Sequence, residues 1–440
     1  MLNTDATILK GNQSNEVGTQ SKPRNNETMA PVFSLLFSVC TLNSCSKNDN
    51  QIDGGGTEIP MDLKSDQLVA ADNQFGLEMV KQVNAELEEG KNLMISPMSI
   101  SLALAMAYNG AEGDTKTQME EMLHKAGMSA DQINQTYQGL VKALSSHDPK
   151  VQLSIANAIF YNQSFSIKPD FITTNQTYYN AEVEALNFSN TNATLNHVNG
   201  WVRSNTNNKI HSIIDKVSPY DVMYLINAIY FKGEWTYQFE KKNTKTRTFH
   251  TASDGDVQVP MMELGKTKFQ FLNTEKFTAL ELPYGSGKFS MLIMLPNEKY
   301  TTDDVIAALN PTNLTHWLSQ LHELETVVFL PKFEFTYENS LVDNLKALGM
   351  LDAFNAAKSD FSGISDQQDL YISEVKHKSY IKVDEEGTEA AAVTGITFDV
   401  TSVEPNSIFN VDHPFIFAIR EKDTNALLFI GKVNNPLLDE

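Results

Sequence analysis

The stretch VDEEGTEAAAVTGITFDVTSVEP, Val383–Pro405, lies near the end of a 440-residue chain and fits no ordinary element. It is too polar and too rich in small residues for a core strand, and too β-branched after Ala392 for a good helix. Counted in twos, as a strand alternates its faces, it separates into two sets. Thr388, Ala390, Ala392, Thr394, Ile396, Phe398 and Val400 are small or apolar throughout, whereas Glu389, Ala391, Val393, Gly395, Thr397 and Asp399 are mixed and end polar. The stretch reads as a potential strand with one face fit for burial. Its first residues are small enough to enter between two other strands. Gly387 supplies a backbone that changes φ and ψ freely, as a hinge requires.

The surrounding chain sets bounds on what such a strand serves. Hydrophobic content of 41% and charged content of 20% describe a soluble globular protein. A net charge of −21 argues against nucleic acid or anionic lipid as the main partner. No apolar run reaches the roughly 18 residues that span a bilayer. The two cysteines, Cys40 and Cys45, both lie in APVFSLLFSVCTLNSCSKNDN, so the remainder of the chain holds no disulfide of its own. Pro31 to Leu42 has the length of a signal-peptide core. The Leu42-Asn43-Ser44-Cys45 that follows resembles a bacterial lipobox, which implies lipidation at Cys45. The expected organisation is a leader and lipoprotein-type signal over 1–45, a flexible tether over 46–64 and one globular domain over 65–440.

Within that domain helices come first and strands predominate later. Phe75, Met79, Val80, Val83 and Leu87 recur at helical spacing, with Asp72 as the expected N-cap and Gly90 as the stop. SPMSISLALAMAYNGAEG reads as a helix buried on nearly all sides, with Pro97 in its first turn. Asp114 opens another helix. KFEFTY, Lys332–Tyr337, alternates as a strand does, and Ser340 is expected to cap a short helix after it. PFIFAIREKDTNALLFIGKV reads as two strands around Lys422–Asn425. Helices segregated from antiparallel strands point to an α+β fold.

Local catalytic chemistry is not evident. His322 begins HELET, which lacks the second histidine of a zinc-protease helix. Ser286 in YGSGK lacks the pattern of a nucleophile elbow. No phosphate-binding glycine loop is present, and no local cluster has metal-ligand spacing. The expectation is no enzyme, no metal and no cofactor.

EEGTEAAA, Glu385–Ala392, resembles the reactive-centre hinge of inhibitory serpins. The resemblance extends in order along the chain through NLMISPMSISLALAMAYNGA, NGWVRSNTNNKI, LINAIYFKGEWTYQF and DHPFIFAIREKDTNALLFIGKVNNP, the last with Pro414-Phe415 and Gly431. It implies a large central sheet with helices, smaller sheets and an exposed reactive-centre loop at about 385–408. It implies a suicide-substrate inhibitor of serine proteases, with cysteine proteases as a further class, that inserts its cleaved loop into the sheet. Loop insertion in serpins is a known instance of strand addition and of the release of stored strain.

The resemblance also assigns residues. The hinge is Glu385, Glu386, Gly387, Thr388, Glu389, Ala390, Ala391 and Ala392. Ser96, Ser99, Asn227 and His377 match the shutter beneath the opening strands. Glu385 and Lys332 match an ion pair at the top of the sheet, expected to be an exposed, modest latch, and Trp235 marks the breach where insertion begins. The scissile bond falls at Thr401-Ser402, with Val400-Thr401 and Val403-Glu404 as alternatives. No Lys or Arg stands between Glu385 and Arg420, so elastase-like or subtilisin-like targets are expected rather than trypsin-like ones. The partner expected is a protease held as a covalent acyl-enzyme. The chain itself is expected to be a monomer in a bacterial cell envelope or outside the cell, with the membrane reached only through the lipid. The alternative is a non-inhibitory serpin that binds, or a protease decoy.

Overall fold

Periodicity and caps account for most of the helices. In the computed structural model, which describes residues 63–253, 255–367, 370–388 and 407–438, α1 spans Leu63–Glu86. It buries Leu68, Phe75, Met79 and Val83 along one stripe. It starts well before Asp72, which therefore is not a cap. Asp72 is buried in the helix interior, 3.0 Å from Lys125 Nζ, and accepts a 2.8 Å hydrogen bond from Tyr137 Oη. After β1 (Leu93–Ile95), α2 runs Pro97–Tyr108 with Pro97 in its first turn, and the Ser96 side chain accepts from the Ser99 amide. All of α2 except Ala103 is buried, as its unbroken apolar run requires.

The chain continues through α3 (Gly113–Met122), α4 (Ala130–Ser145), β2 (Val151–Asn162), α5 (Pro169–Tyr179), β3 (Glu182–Leu186), α6 (Thr191–Asn205) and β4 (Met223–Glu234). Strands then dominate: β5 (Lys245–His250), β6 (Asp256–Asn273), β7 (Phe277–Tyr284) and β8 (Phe289–Pro296). Helices α7 (Thr302–Ala308) and α8 (Pro311–Gln320) lead to β9 (His322–Pro331) and β10 (Phe333–Ser340). Helix α9 (Val342–Ala347) has no side-chain cap. Ser340 ends β10 and donates to Glu374 Oε1 instead. The remaining strands are β11 (Lys376–Val383), β12 (Gly387–Thr388), β13 (Ser407–Asn410), β14 (Phe415–Glu421) and β15 (Leu427–Val433).

Among the described residues the strands make two sheets. The larger runs β1-β15-β14-β8-β7-β6-β9-β13, with β5 on β6. Its central β8, β14 and β15 are buried at every position, which explains why they read as continuous apolar runs. The smaller runs β10-β11-β12-β4-β2-β3. In β11 the buried positions His377, Ser379, Ile381 and Val383 alternate with half-buried Lys376, Lys378, Tyr380 and Lys382. The first set faces the core and the second faces outward. Leu63 and Lys64, expected in the tether, already belong to α1. The expected leader and lipidation site Cys45 lie outside the described residues.

Candidate functional site

The site is the seam between β11 and β4. Both strands run antiparallel to β12, so they are parallel to each other, with β12 between them. Val383 pairs with Thr388, Thr388 with Gly233, and Gly387 with Glu234. Beyond these pairs no ladder joins β11 to β4 among the described residues. The expected exposed loop is thus corrected at both ends. Glu385, Gly387 and Thr388 are buried, and Ser407 and Ile408 already belong to β13, paired in parallel with β9.

A tight turn carries the chain from β11 back into the sheet. The Asp384 amide donates to Gly387 O at 3.0 Å, and Glu386 N donates to Asp384 Oδ1 at 3.0 Å. A Cβ on Gly387 would lie 2.1 Å from Gly233 O, so only glycine permits this approach. Trp235 holds the turn directly: its amide donates to Glu386 O at 2.9 Å and its indole Nε1 to Asp384 O at 3.0 Å. The indole stacks on Tyr284 at 4.4 Å between centroids, and Tyr284 Oη meets Thr388 Oγ1 at 2.5 Å. Trp235, Thr388 and Tyr284 therefore form one buried unit. Tyr284 was not legible in the sequence, because its role depends on packing between two sheets.

The Glu385–Lys332 pair forms at 2.7 Å, yet it is not the exposed latch expected. The Glu385 side chain is 6% exposed against 36% for Lys332. Burial works to raise the Glu385 pKa, but Lys332 and the 2.7 Å bond from Thr244 Oγ1 outweigh it, and the carboxyl sits below its usual range. Removing Lys332 would strand a buried carboxylate, which costs more than losing a surface pair. Glu386 pairs outward with Lys241.

Lower in the seam, the structure brings together three of the four expected shutter residues. Ser96 N donates to His377 Nε2 at 3.2 Å, and Ser96 Oγ accepts from Ser99 N at 3.2 Å. Ser379 Oγ adds a 2.7 Å bond to Met94 O. Asn227 does not join this network. Its Nδ2 donates to Asn157 Oδ1 on β2 at 2.8 Å, across the seam from His377. Burial pushes the His377 pKa down from 6.5 to about 4, against a bond to Met94 that works to raise it.

The neutral imidazole accepts the Ser96 amide, and protonation would break that bond. A base depressed on folding contributes stability that is full above its unfolded pKa and is lost as pH falls toward the folded one. Between pH 7.5 and 5 this group is expected to remove about 2 kcal/mol. Urea unfolding across that range should show the loss in wild type and a flatter dependence in His377→Gln. Equal slopes would contradict the assignment.

The outward face of the seam carries a second feature that sequence reading missed. The segment 206–222 leaves α6 and crosses toward β11. Its Ile210, Ile213 and Ile214 pack with Val198 and Val202 of α6 and with Ile226 of β4, while Tyr380 of β11 lies at the margin of the same cluster. Lys209 Nζ sits 5.1 Å from the Tyr380 ring centroid, and Asp215 pairs with Lys376. The segment straps β4 to β11. The other candidate groups have ordinary roles: Ser286 Oγ donates to Asp148 at 2.7 Å, and His322 lies edge-on to Phe271. Glu389, Ala390, Ala391, Ala392, Val400, Thr401, Ser402 and Val403 lie outside the described residues.

A family model described as Serpin (serine protease inhibitor) matches residues 70–436. Serpin B10 of Sorex araneus is 35% identical over 397 residues, covering 84% of this chain and 100% of that protein. Serpin B6 of Pongo abelii is 37% identical over 379 residues, with the same shares covered. Among solved structures, the thermophilic serpin tengpin in its native state superposes with a TM-score of 0.77 at 33% identity, covering 86% of this chain and 96% of that one. Thyroxine-binding globulin complexed with thyroxine superposes with a TM-score of 0.75 at 30% identity, covering 84% and 99%. Its two sheets, the buried Gly387 and Thr388 between β11 and β4, and these likenesses over most of its length place the chain in the serpin family.

Proposed function

We propose that the chain is a suicide-substrate inhibitor of proteases and has no catalytic turnover of its own. The observation that carries this reading is β12: Gly387 and Thr388, where a potential strand begins, already pair with β4, and Thr388 pairs with β11 as well. A target protease takes the loop as substrate, its nucleophile attacks the scissile carbonyl, and the peptide bond breaks to give an acyl-enzyme. The freed segment then extends β12 along the seam before water can release the enzyme.

The register supports this path. Continued from Gly387 and Thr388, it sets Thr394 opposite both Asn227 and His377. Two shutter residues that the structure leaves apart would thereby flank one inserting threonine. Ala390, Ala392, Ile396 and Phe398 would share the core face with Thr388. Ala391, Val393 and Gly395, all of modest size, would pass beneath the strap at 206–222. The energy is adequate in scale, since each added backbone hydrogen bond is worth about 1 kcal/mol net.

Cleavage is proposed at Thr401-Ser402, by an elastase-like or subtilisin-like enzyme. Lipidation at Cys45 would hold a monomeric inhibitor to a bacterial membrane, facing proteases of the envelope or outside. The thyroxine complex of thyroxine-binding globulin keeps a second reading in view, because the same fold also holds a small ligand.

The test is a panel of serine and cysteine proteases, scored by denaturing gel for a covalent complex and by mass spectrometry for the cut. The expected outcome is a stable adduct with at least one elastase-like or subtilisin-like enzyme and a cut between Phe398 and Glu404. Cleavage without an adduct would favour the decoy reading, and a cut outside that window would refute the proposed bond.

A further inference from the structure

Three side chains distant in sequence converge away from the seam. His147 follows the end of α4, Glu421 ends β14, and Asp423 stands in the turn to β15. His147 Nε2 lies 3.1 Å from Glu421 Oε1 and 3.2 Å from Asp423 Oδ2. The His147 and Glu421 side chains are fully buried, while that of Asp423 is 37% exposed. Among the described residues this is the one group of three such ligands whose donor atoms lie together. Other histidine pairs, such as His250 with Asp256 and His197 with Glu184, are exposed two-residue contacts.

The chemistry favours a cation at the point of convergence. An imidazole nitrogen carries at most one proton on Nε2, and that proton points well at only one oxygen. Ligands bonded to zinc at about 2.0–2.2 Å lie roughly 3.3 Å from one another in a tetrahedron, close to the two separations seen.

The carboxylates are also held in place, as a preformed site requires. Glu421 Oε1 accepts from Asp423 N at 2.7 Å, and Oε2 accepts from Thr424 N at 2.8 Å and from Thr424 Oγ1 at 2.5 Å. Lys288 Nζ anchors Asp423 Oδ2 at 2.8 Å, leaving that oxygen a second lone pair. The Phe289 ring meets the imidazole edge-on at 5.9 Å. A mixed set of one imidazole and two carboxylates suits zinc-class ions better than magnesium or calcium, which prefer all-oxygen shells. The exposed side at Asp423 leaves room for water as a fourth ligand.

We propose that His147, Glu421 and Asp423 bind one zinc-class divalent cation and so tie the end of α4 to the β14–β15 turn. This site stands independently of the protease reading. The experiment uses the full untagged chain, stripped with EDTA and titrated with zinc sulfate, with bound metal measured after desalting and melting followed in parallel. One retained equivalent and a raised melting temperature are expected. Asp423→Asn, at a partly exposed position, and His147→Gln should each weaken binding more than about tenfold. Cys40→Ser combined with Cys45→Ser should bind as wild type. Two results would overturn the site: wild type that retains no zinc, as when only a proton bridges the three groups, or ligand variants that retain it undiminished.

Discussion

Thr388→Arg is expected to leave the chain folded and the loop cleavable at the same bond, yet to abolish the covalent complex with protease. Thr388 is 3% exposed and its hydroxyl rests on Tyr284, which stacks in turn on Trp235. The arginine would have to bury a cation in that stack or hold β12 out of the sheet. An unpaired buried charge costs several kcal/mol. Inhibition depends on insertion outrunning deacylation, and each 1.4 kcal/mol on the insertion barrier slows it about tenfold. A penalty near 3 kcal/mol would therefore shift the partition toward release more than about a hundredfold. Gel analysis against a protease that wild type captures should show cut chain and free enzyme. Thr388→Ser, which keeps the hydroxyl, should still capture. Undiminished capture by the arginine variant would count against extension of the strand from this position.

What the sequence made legible was whatever depends on near neighbours. The alternation of β10, the all-round burial of α2 and the turn at Lys422–Asn425 follow from periods and turn residues only a few positions apart. Gly387 stood out for the same reason, since a glycine carries its steric meaning locally, and here a Cβ would lie 2.1 Å from Gly233 O. Asp72 shows the limit. An aspartate just before an apolar period looks like a cap, but here it lies inside α1 because Lys125 and Tyr137 arrive from elsewhere to satisfy it.

The site divides along the same line. Glu385 with Lys332, and Ser96 with His377, are brought together as the resemblance implied. Tyr284, Thr244 and the strap through Lys209 and Asp215 gain their roles only when distant segments meet. Asn227 was grouped with His377 by resemblance, but its amide bonds to Asn157. On the proposed insertion, the continued register would give the two a common neighbour in Thr394.

Inhibition by insertion requires that the uncut chain store free energy in the seam. β4 spans twelve residues, of which, among the described residues, only Gly233 and Glu234 have partners in β12. Extending that ladder by about ten residues at about 1 kcal/mol for each bond gained, with roughly 1.3 °C for each kcal/mol in a chain of this size, predicts a rise of about 13 °C or more. The direct measurement is calorimetry of intact chain beside chain nicked once in the loop and purified without protease. The nicked form is predicted to melt far above the intact one. A nicked form that melts at or below the intact chain would contradict storage in the seam, because cleavage would then have released nothing.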